Sequence, residues 1–304
     1  MKENYEYLSI NALCKCFSIS RQSYYQHEWD VSEEVFQYGL VLEEIRSIRH
    51  RHPRVGGRKL YEILRSFMRE HRIKMGRDAL FDLLSVHGML VRNRKRYIRT
   101  TNSHHWLKKY PNLIIGFTPI KPNQLWVSDI TYWKTGDVWY YISLITDAYS
   151  RKIVGYHLSE NLHAEQTIKA LNMSLLGLKN HSGTSEQLIH HSDRGVQYCS
   201  SSYVNRLKKK NINISMTQSS DPLENAMAER VNGIIKDEYL LNYQCDNTTD
   251  ARKQLAKAVA LYNNERPHNS IGNLTPEFVH NQYDKIPNDK IRKLWKNYYT
   301  KENV

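Results

Sequence analysis

The chain has 304 residues, 40% of them hydrophobic, which is enough for one large domain and a smaller companion and excludes a disordered chain. Lys and Arg number 44 against 31 Asp and Glu, a net charge of +13 that favours a polyanionic partner such as nucleic acid without proving one. No apolar run approaches the length of a membrane span, the N-terminus has no continuous apolar leader stretch, and the four cysteines are too scattered for a zinc site or a disulfide framework, so a cytoplasmic location with free thiols is expected.

Residues 8–25 read as a helix bearing Ile10 and Leu13, a turn at Phe17 and Ser18, and a short second helix capped by Ser20. That is the outline of a helix-turn-helix, in which Arg21, Gln22 and Tyr25 would face DNA. Short helix pairs are also plain packing elements, so both readings stay open. Residues 35–90 show helical spacing at Leu42, Ile45 and Ile48, at Leu60, Ile63 and Leu64, and at Leu80, Leu83 and Leu84, punctuated by Pro53, Gly56 and Gly57. Arg49, Arg51, Arg54, Arg58 and Lys59 cluster at that turn, either as a second DNA-contacting unit or as a solvated charged turn. The basic run from Val91, with Arg94 and Arg96 among its cations and Tyr97 and Trp106 interleaved, suits a linker lying along a DNA backbone.

After Pro122 the pattern changes to short strands rich in β-branched and aromatic residues, at 124–133, 138–146 and 152–158, with a tight turn at Thr135 and Gly136 between the first two. A helix at 163–176, a strand at 188–191, a helix at 202–210 and a strand at 212–216 follow. The expected fold class is α/β: a ribonuclease-H-like mixed sheet of three antiparallel strands and then alternating helices and strands, preceded by a helical region. Two more helices are expected at 222–243 and 250–264, the latter capped by Asp250. The expected domains are a helical DNA-binding region at 1–90 (helix-turn-helix units near 7–27 and 42–90), a basic linker at 91–118, a catalytic core at 119–283 and a tail at 284–304.

Three carboxylates stand out. Asp129 lies within an apolar, aromatic strand, where an ionised group is costly without a cation or donors. Asp193 follows a short strand, at the carboxyl end where α/β sheets place ligands. Glu229 lies on a helix with Asn225, Asn232 and Lys236 on one face, while Met227, Val231, Ile234 and Ile235 form an apolar face for the sheet. Singly, each has a bland reading as a satisfied strand Asp, a turn cap or a solvated stripe. Together they form a hard-oxygen set suited to Mg²⁺ or Mn²⁺, and two such ions roughly 3.5–4 Å apart stabilise both oxygens of an in-line phosphoryl displacement.

The blocks W-V-S-D-I-T-Y around Asp129, D-A-Y-S-R-K-I-V-G-Y from Asp147, H-S-D-R-G-V-Q-Y from His191, N-A-M-A-E-R from Asn225 and Y-N-N-E-R-P-H-N-S-I-G from Tyr262 resemble the OrfB-type transposases of insertion-sequence family three, in the retroviral-integrase-like superfamily. The spacing agrees, with 35 residues between Asp193 and Glu229. The resemblance spans nearly the whole chain. It implies a two-ion D-D-E site of Asp129, Asp193 and Glu229 acting in DNA cleavage and strand transfer by a 3′-hydroxyl, with no covalent protein intermediate.

It also implies that Lys236 contacts DNA, with Arg230 and Arg194 as further DNA-binding candidates, and that His191 and Asn225 support the carboxylates; Asp147, by its placement after the second strand, reads as structural. Its implied partners are double-stranded DNA (element terminal inverted repeats and target), further copies of the chain on DNA, and an upstream-frame product as partner or fusion, in a bacterial cell and at the nucleoid when bound. Residues 219–224, S-S-D-P-L-E, depart from the family's Gly-containing loop. Two rivals stay open at this point: a DNA-binding regulator of transposase descent, and a ribonuclease-H-like nuclease that hydrolyses without joining.

Overall fold

The computed structural model describes residues 7–91, 106–179, 188–218, 225–241 and 243–286. The chain divides into two compact units, Met1–Arg51 with Ile63–Leu90, and His52–Glu62 with Val91–Val304.

The first unit is helical. Helix α1 (Ile10–Cys16) is capped by Ser9, whose hydroxyl accepts from the Ala12 amide, and Ser18 turns the chain with φ 54°. Ser20 then opens α2, accepting from the Ser23 amide at 3.0 Å. The expected short second helix is corrected here: α2 runs unbroken for 31 residues, Arg21–Arg51. No Gly or Pro interrupts residues 21–38, and side-chain pairs one turn apart, Gln26–Asp30, Gln37–Glu33 and Tyr38–Glu34, support the exposed half. The buried half packs through Val41, Leu42, Ile45 and Ile48. Helix α3 is Gly57–Glu70, of which residues 63–70 belong to this unit, and α4 is Arg77–Val86, the latter burying Leu80, Leu83 and Leu84.

The second unit is built on a five-stranded sheet in the order β3-β2-β1-β4-β5. Strands β1 (Leu125–Thr135), β2 (Val138–Asp147) and β3 (Ile153–Ser159) form the expected antiparallel meander. The β1–β2 turn is Gly136–Asp137, with Gly136 at φ 57°, a conformation glycine adopts without steric cost. Strands β4 (Ile189–Ser192) and β5 (Asn213–Met216) run parallel to β1. This order and strand sense make the fold ribonuclease-H-like.

One face of the sheet buries Trp126 and Ile145 against α5 (Ala164–Lys179), α6 (Val196–Cys199) and α7 (Ser201–Lys208). The other buries Trp133, Ile142 and Leu144 against α8 (Ala226–Ile234), the π turn Ile235–Leu240 that continues it, and α9 (Thr248–Asn264). The sheet is therefore covered on both sides, which explains why its central strands read as apolar runs instead of strict alternation. The cap of α9 is Asn247, whose side chain accepts from the Asp250 amide at 2.9 Å, in place of the expected Asp250. Asp250 instead adds a negative charge to the first turn, where the helix dipole favours it. The last helix, α10, is Pro276–Asn281.

The end of the expected linker is not free chain. Ile114 is buried, Leu113 donates its amide to Ser215 Oγ at 2.8 Å, and the Met216 amide reaches Pro111 O, so residues 111–114 run beside β5. Arg94 and Arg96 fall outside the described residues, as do residues 219–224 and the expected tail beyond 286.

Candidate active site

Strand register brings the first two carboxylates together. Ser128 of β1 pairs with Ser192 of β4 in parallel sense, so Asp129 and Asp193 are the next residues along neighbouring strands. Asp193 leaves the sheet at the end of β4, its Oδ1 accepting from the Gly195 amide at 3.0 Å. A Cβ on Gly195 would stand 3.0 Å from that same oxygen, so the turn is built around a residue with no side chain. The third carboxylate comes from α8, which crosses β1. Asn225, at the residue before the helix, donates from Nδ2 to Ser128 O at 3.4 Å, and Asn232 donates from Nδ2 to Asp129 Oδ2 at 2.8 Å. Glu229 lies between these two anchors on an exposed position of the same helix.

The electrostatics record this proximity. Asp129 has its pKa pushed up to about 8, first by burial and then by the charges of Asp193 and Glu229, against which the Ile130 amide and the Asn232 amide work. Burial and then Asp193 raise Glu229 as well. Among the described residues no three His, Cys, Asp or Glu side chains close into a ready metal-holding group. Like charges at these positions raise one another's proton affinity, and Glu229 is exposed on α8.

The surrounding donors are hard. Asn232 must turn its amide nitrogen toward the carboxylate, which only accepts, and this leaves its Oδ1 buried with no hydrogen-bond partner, as is Asn225 Oδ1. Three carboxylates, with no thiol or imidazole among them, match the ligand preference of Mg²⁺ or Mn²⁺ and not of zinc.

The other sequence candidates are distributed as follows. His191 is buried and bonds from Nδ1 to Ser215 Oγ at 2.8 Å, tying β4 to β5 just before Asp193. Arg194 is half-buried beside Asp193, Arg230 is exposed and Lys236 is half-buried in the π turn. Lys59 is half-buried and Arg58 exposed in the first turn of α3. Arg21 and Gln22 are exposed in the first turn of α2, in the other unit. Asp147 is fully buried, accepting from the Ser150 amide and hydroxyl and from the Asn123 amide at 2.6–2.7 Å. Burial works against its charge, but His280 and Ser150 prevail and hold its pKa below the usual range.

Sequence reasoning placed Asn232 on the polar face without a role. The structure makes it the direct partner of Asp129, and its spacing of three from Glu229 is the signal that could have found it. The same holds for the Tyr262 block. Asn263 bonds the Ile153 amide and carbonyl at 2.9 and 3.0 Å, and the Tyr262 hydroxyl donates to Arg151 O. Arg266 holds Glu238 of the π turn through two 2.7 Å bonds. The block therefore fastens β3 and the π turn that ends the α8 helix to α9.

Residues 119–222 and 210–276 match two models of the integrase core domain. The 31 kDa protein of insertion element IS600 from Shigella sonnei is 33% identical over 279 residues, covering 90% of this chain and 99% of that protein. The transposase InsF for insertion sequence IS3A of Escherichia coli (strain K12) is 26% identical over 280 residues, covering 90% and 94%. Among solved structures, the HTLV-2 integrase catalytic core domain in complex with magnesium covers 53% of this chain and 97% of its own, with 23% identity and a TM-score of 0.42. By these relationships the chain belongs to the DDE transposases of insertion-sequence family three.

Proposed function

We propose that this transposase cuts DNA at the ends of its element and joins the freed 3′-hydroxyl to target DNA, with Asp129, Asp193 and Glu229 as the catalytic carboxylates. The observation that carries this reading is the raised proton affinity of Asp129, due first to burial and then to the charges of Asp193, at the end of the neighbouring strand, and Glu229, on the crossing helix. A cation at this point would relieve that repulsion. Two Mg²⁺ or Mn²⁺ ions held by the three carboxylates would activate water or the 3′-hydroxyl and offset charge on the phosphate.

The protein's own groups set the geometry. Asn232 fixes the Asp129 carboxylate, the Gly195 amide fixes that of Asp193, and the His191–Ser215 bond holds the strand end from which Asp193 projects. Lys236, Arg230 and Arg194 supply positive charge for the DNA backbone around the reacting phosphate, and Asn225 holds the start of α8 on β1. Arg21 and Gln22 of α2 and Arg58 and Lys59 of α3 are the helical region's candidates for phosphate and base contacts.

The test is incubation with Mn²⁺ and a labelled duplex carrying the element's inverted repeat, followed by separation of cleaved and joined products. Asp193→Asn is expected to lose on the order of 100-fold or more in both steps. Equal products from wild type and variant would remove the assignment. Cleaved 3′-hydroxyl ends with no joined DNA would favour a hydrolase instead.

A further inference from the structure

Helix α2 has two halves of different character. Its second half is buried through Val41, Leu42, Ile45 and Ile48. In residues 21–36 no side chain is buried, and large apolar ones stand in the open: Tyr25 is 44% exposed, Phe36 66% and Trp29 75%. A polar helical stretch of this kind is marginal in water unless another surface packs on it. Tyr25, Trp29, Ser32 and Phe36 follow one another at spacings of four, three and four, the seam along which one helix packs on a second. Glu28 and Glu33, both exposed, border that seam on either side.

The charge of this face decides what complements it. From Gln22 to Ile45 there is no Lys or Arg, and there are six acids, Glu28, Asp30, Glu33, Glu34, Glu43 and Glu44, in a chain whose net charge is +13. Such a surface repels a DNA backbone, and its complement is a protein segment that is both apolar and basic. The chain carries one. Residues 290–301, outside the described part, include Lys290, Arg292, Lys293, Lys296 and Lys301 and no acid. Among them Ile291, Leu294, Trp295 and Tyr298 have the spacing of a single apolar helix face, and Lys290 and Arg292 fall on its two borders.

We propose that the acidic seam of α2 docks residues 290–301 of a second copy of the chain. Trp29 and Phe36 supply the apolar contact, and Glu28 and Glu33 meet Lys290 and Arg292. Each copy offers one acidic seam and one basic segment, so two copies satisfy both contacts in a closed pair. The pairing needs no DNA and does not rest on the transposase reading.

The experiment is sedimentation equilibrium of the full chain without DNA or divalent metal, over a range of protein concentrations at low and raised KCl. Wild type is expected to self-associate, and more weakly at raised KCl. Glu28→Lys with Glu33→Lys, and separately Lys290→Glu with Arg292→Glu, are each expected to weaken association on the order of 10-fold. All four substitutions together are expected to recover most of that loss, because opposite charges then meet again with their signs exchanged. Trp29→Ala with Phe36→Ala is expected to weaken association on the order of 100-fold. Circular dichroism checks that helix content is kept; should the Trp29 and Phe36 variant lose helix, the charge-exchange series decides alone.

A wild type that stays monomeric at every concentration overturns the proposal, and so does a charge exchange that recovers nothing. If reversing Lys290 and Arg292 leaves association intact while removal of Trp29 and Phe36 abolishes it, the seam pairs with another surface, such as the α2 seam of the second copy, and the assignment of the basic segment fails.

Discussion

Asp129, a proposed catalytic carboxylate, is ionised only at a cost to the fold. Its folded pKa of about 8 lies above the ordinary 3.8, so the folded protein binds the proton more tightly than the unfolded chain does. The stability contribution is therefore fully present below about pH 4 and is lost as the pH rises through 8. In metal-free buffer, Asp129→Asn is expected to melt higher than wild type at pH 8 and close to it at pH 4. A thermal melt series from pH 4 to 9 in chelator checks this, and equal melting temperatures at pH 8 would count against the electrostatic origin. Arg266 is the opposite case, a guanidinium with 0% side-chain exposure paired to Glu238. Arg266→Met would strand that carboxylate and is expected to cost about 3–5 kcal/mol in urea unfolding, with part of the loss recovered by adding Glu238→Gln.

At the scale of elements, the packing of β3 on α5 has no tolerance at one point. A Cβ on Gly155 would come within 2.3 Å of Ala170 O, which is helix backbone, and closer still to Ser174 Oγ. Ser174→Ala removes only the second obstacle. Gly155→Ala is expected to destabilise by roughly 1–3 kcal/mol in either background, measured by urea unfolding. Helix α8 shows a second element-level device. Its α-helical part ends at Ile234 and the chain widens into a π turn, Ile235–Leu240, which carries Lys236 and the Glu238 that Arg266 grips. The π turn begins one residue before Lys236, the last member of the four-three-four polar spacing, and π turns of this kind are frequent at functional sites.

For the whole molecule, one carboxylate set processes one DNA end, whereas transposition must bring two ends together. The expected outcome is an assembly of at least two copies on end-bearing DNA, and light scattering of the complex reads this directly. One copy per two ends would argue against it. Among the described residues no helix is long and apolar enough to cross a membrane, and the net charge of +13 fits a DNA partner.

The sequence by itself determined the ribonuclease-H-like order of strands and helices, because period-two runs broken by turn residues and period-3.6 runs between them are local signals. It also singled out Asp129, Asp193 and Glu229, because carboxylates inside apolar contexts are conspicuous wherever they fall. Tertiary structure alone decided what those residues touch. The pairing of Ser128 with Ser192 that sets Asp129 and Asp193 on neighbouring chain positions, the bond from Asn232 to Asp129, and the grip of Arg266 on Glu238 join positions far apart in the sequence. No local pattern carries such distances. The unbroken length of α2 was missed for a related reason: a polar, weakly patterned stretch gives no periodicity to read, and its helix is held by one-turn side-chain pairs and by the buried half that follows.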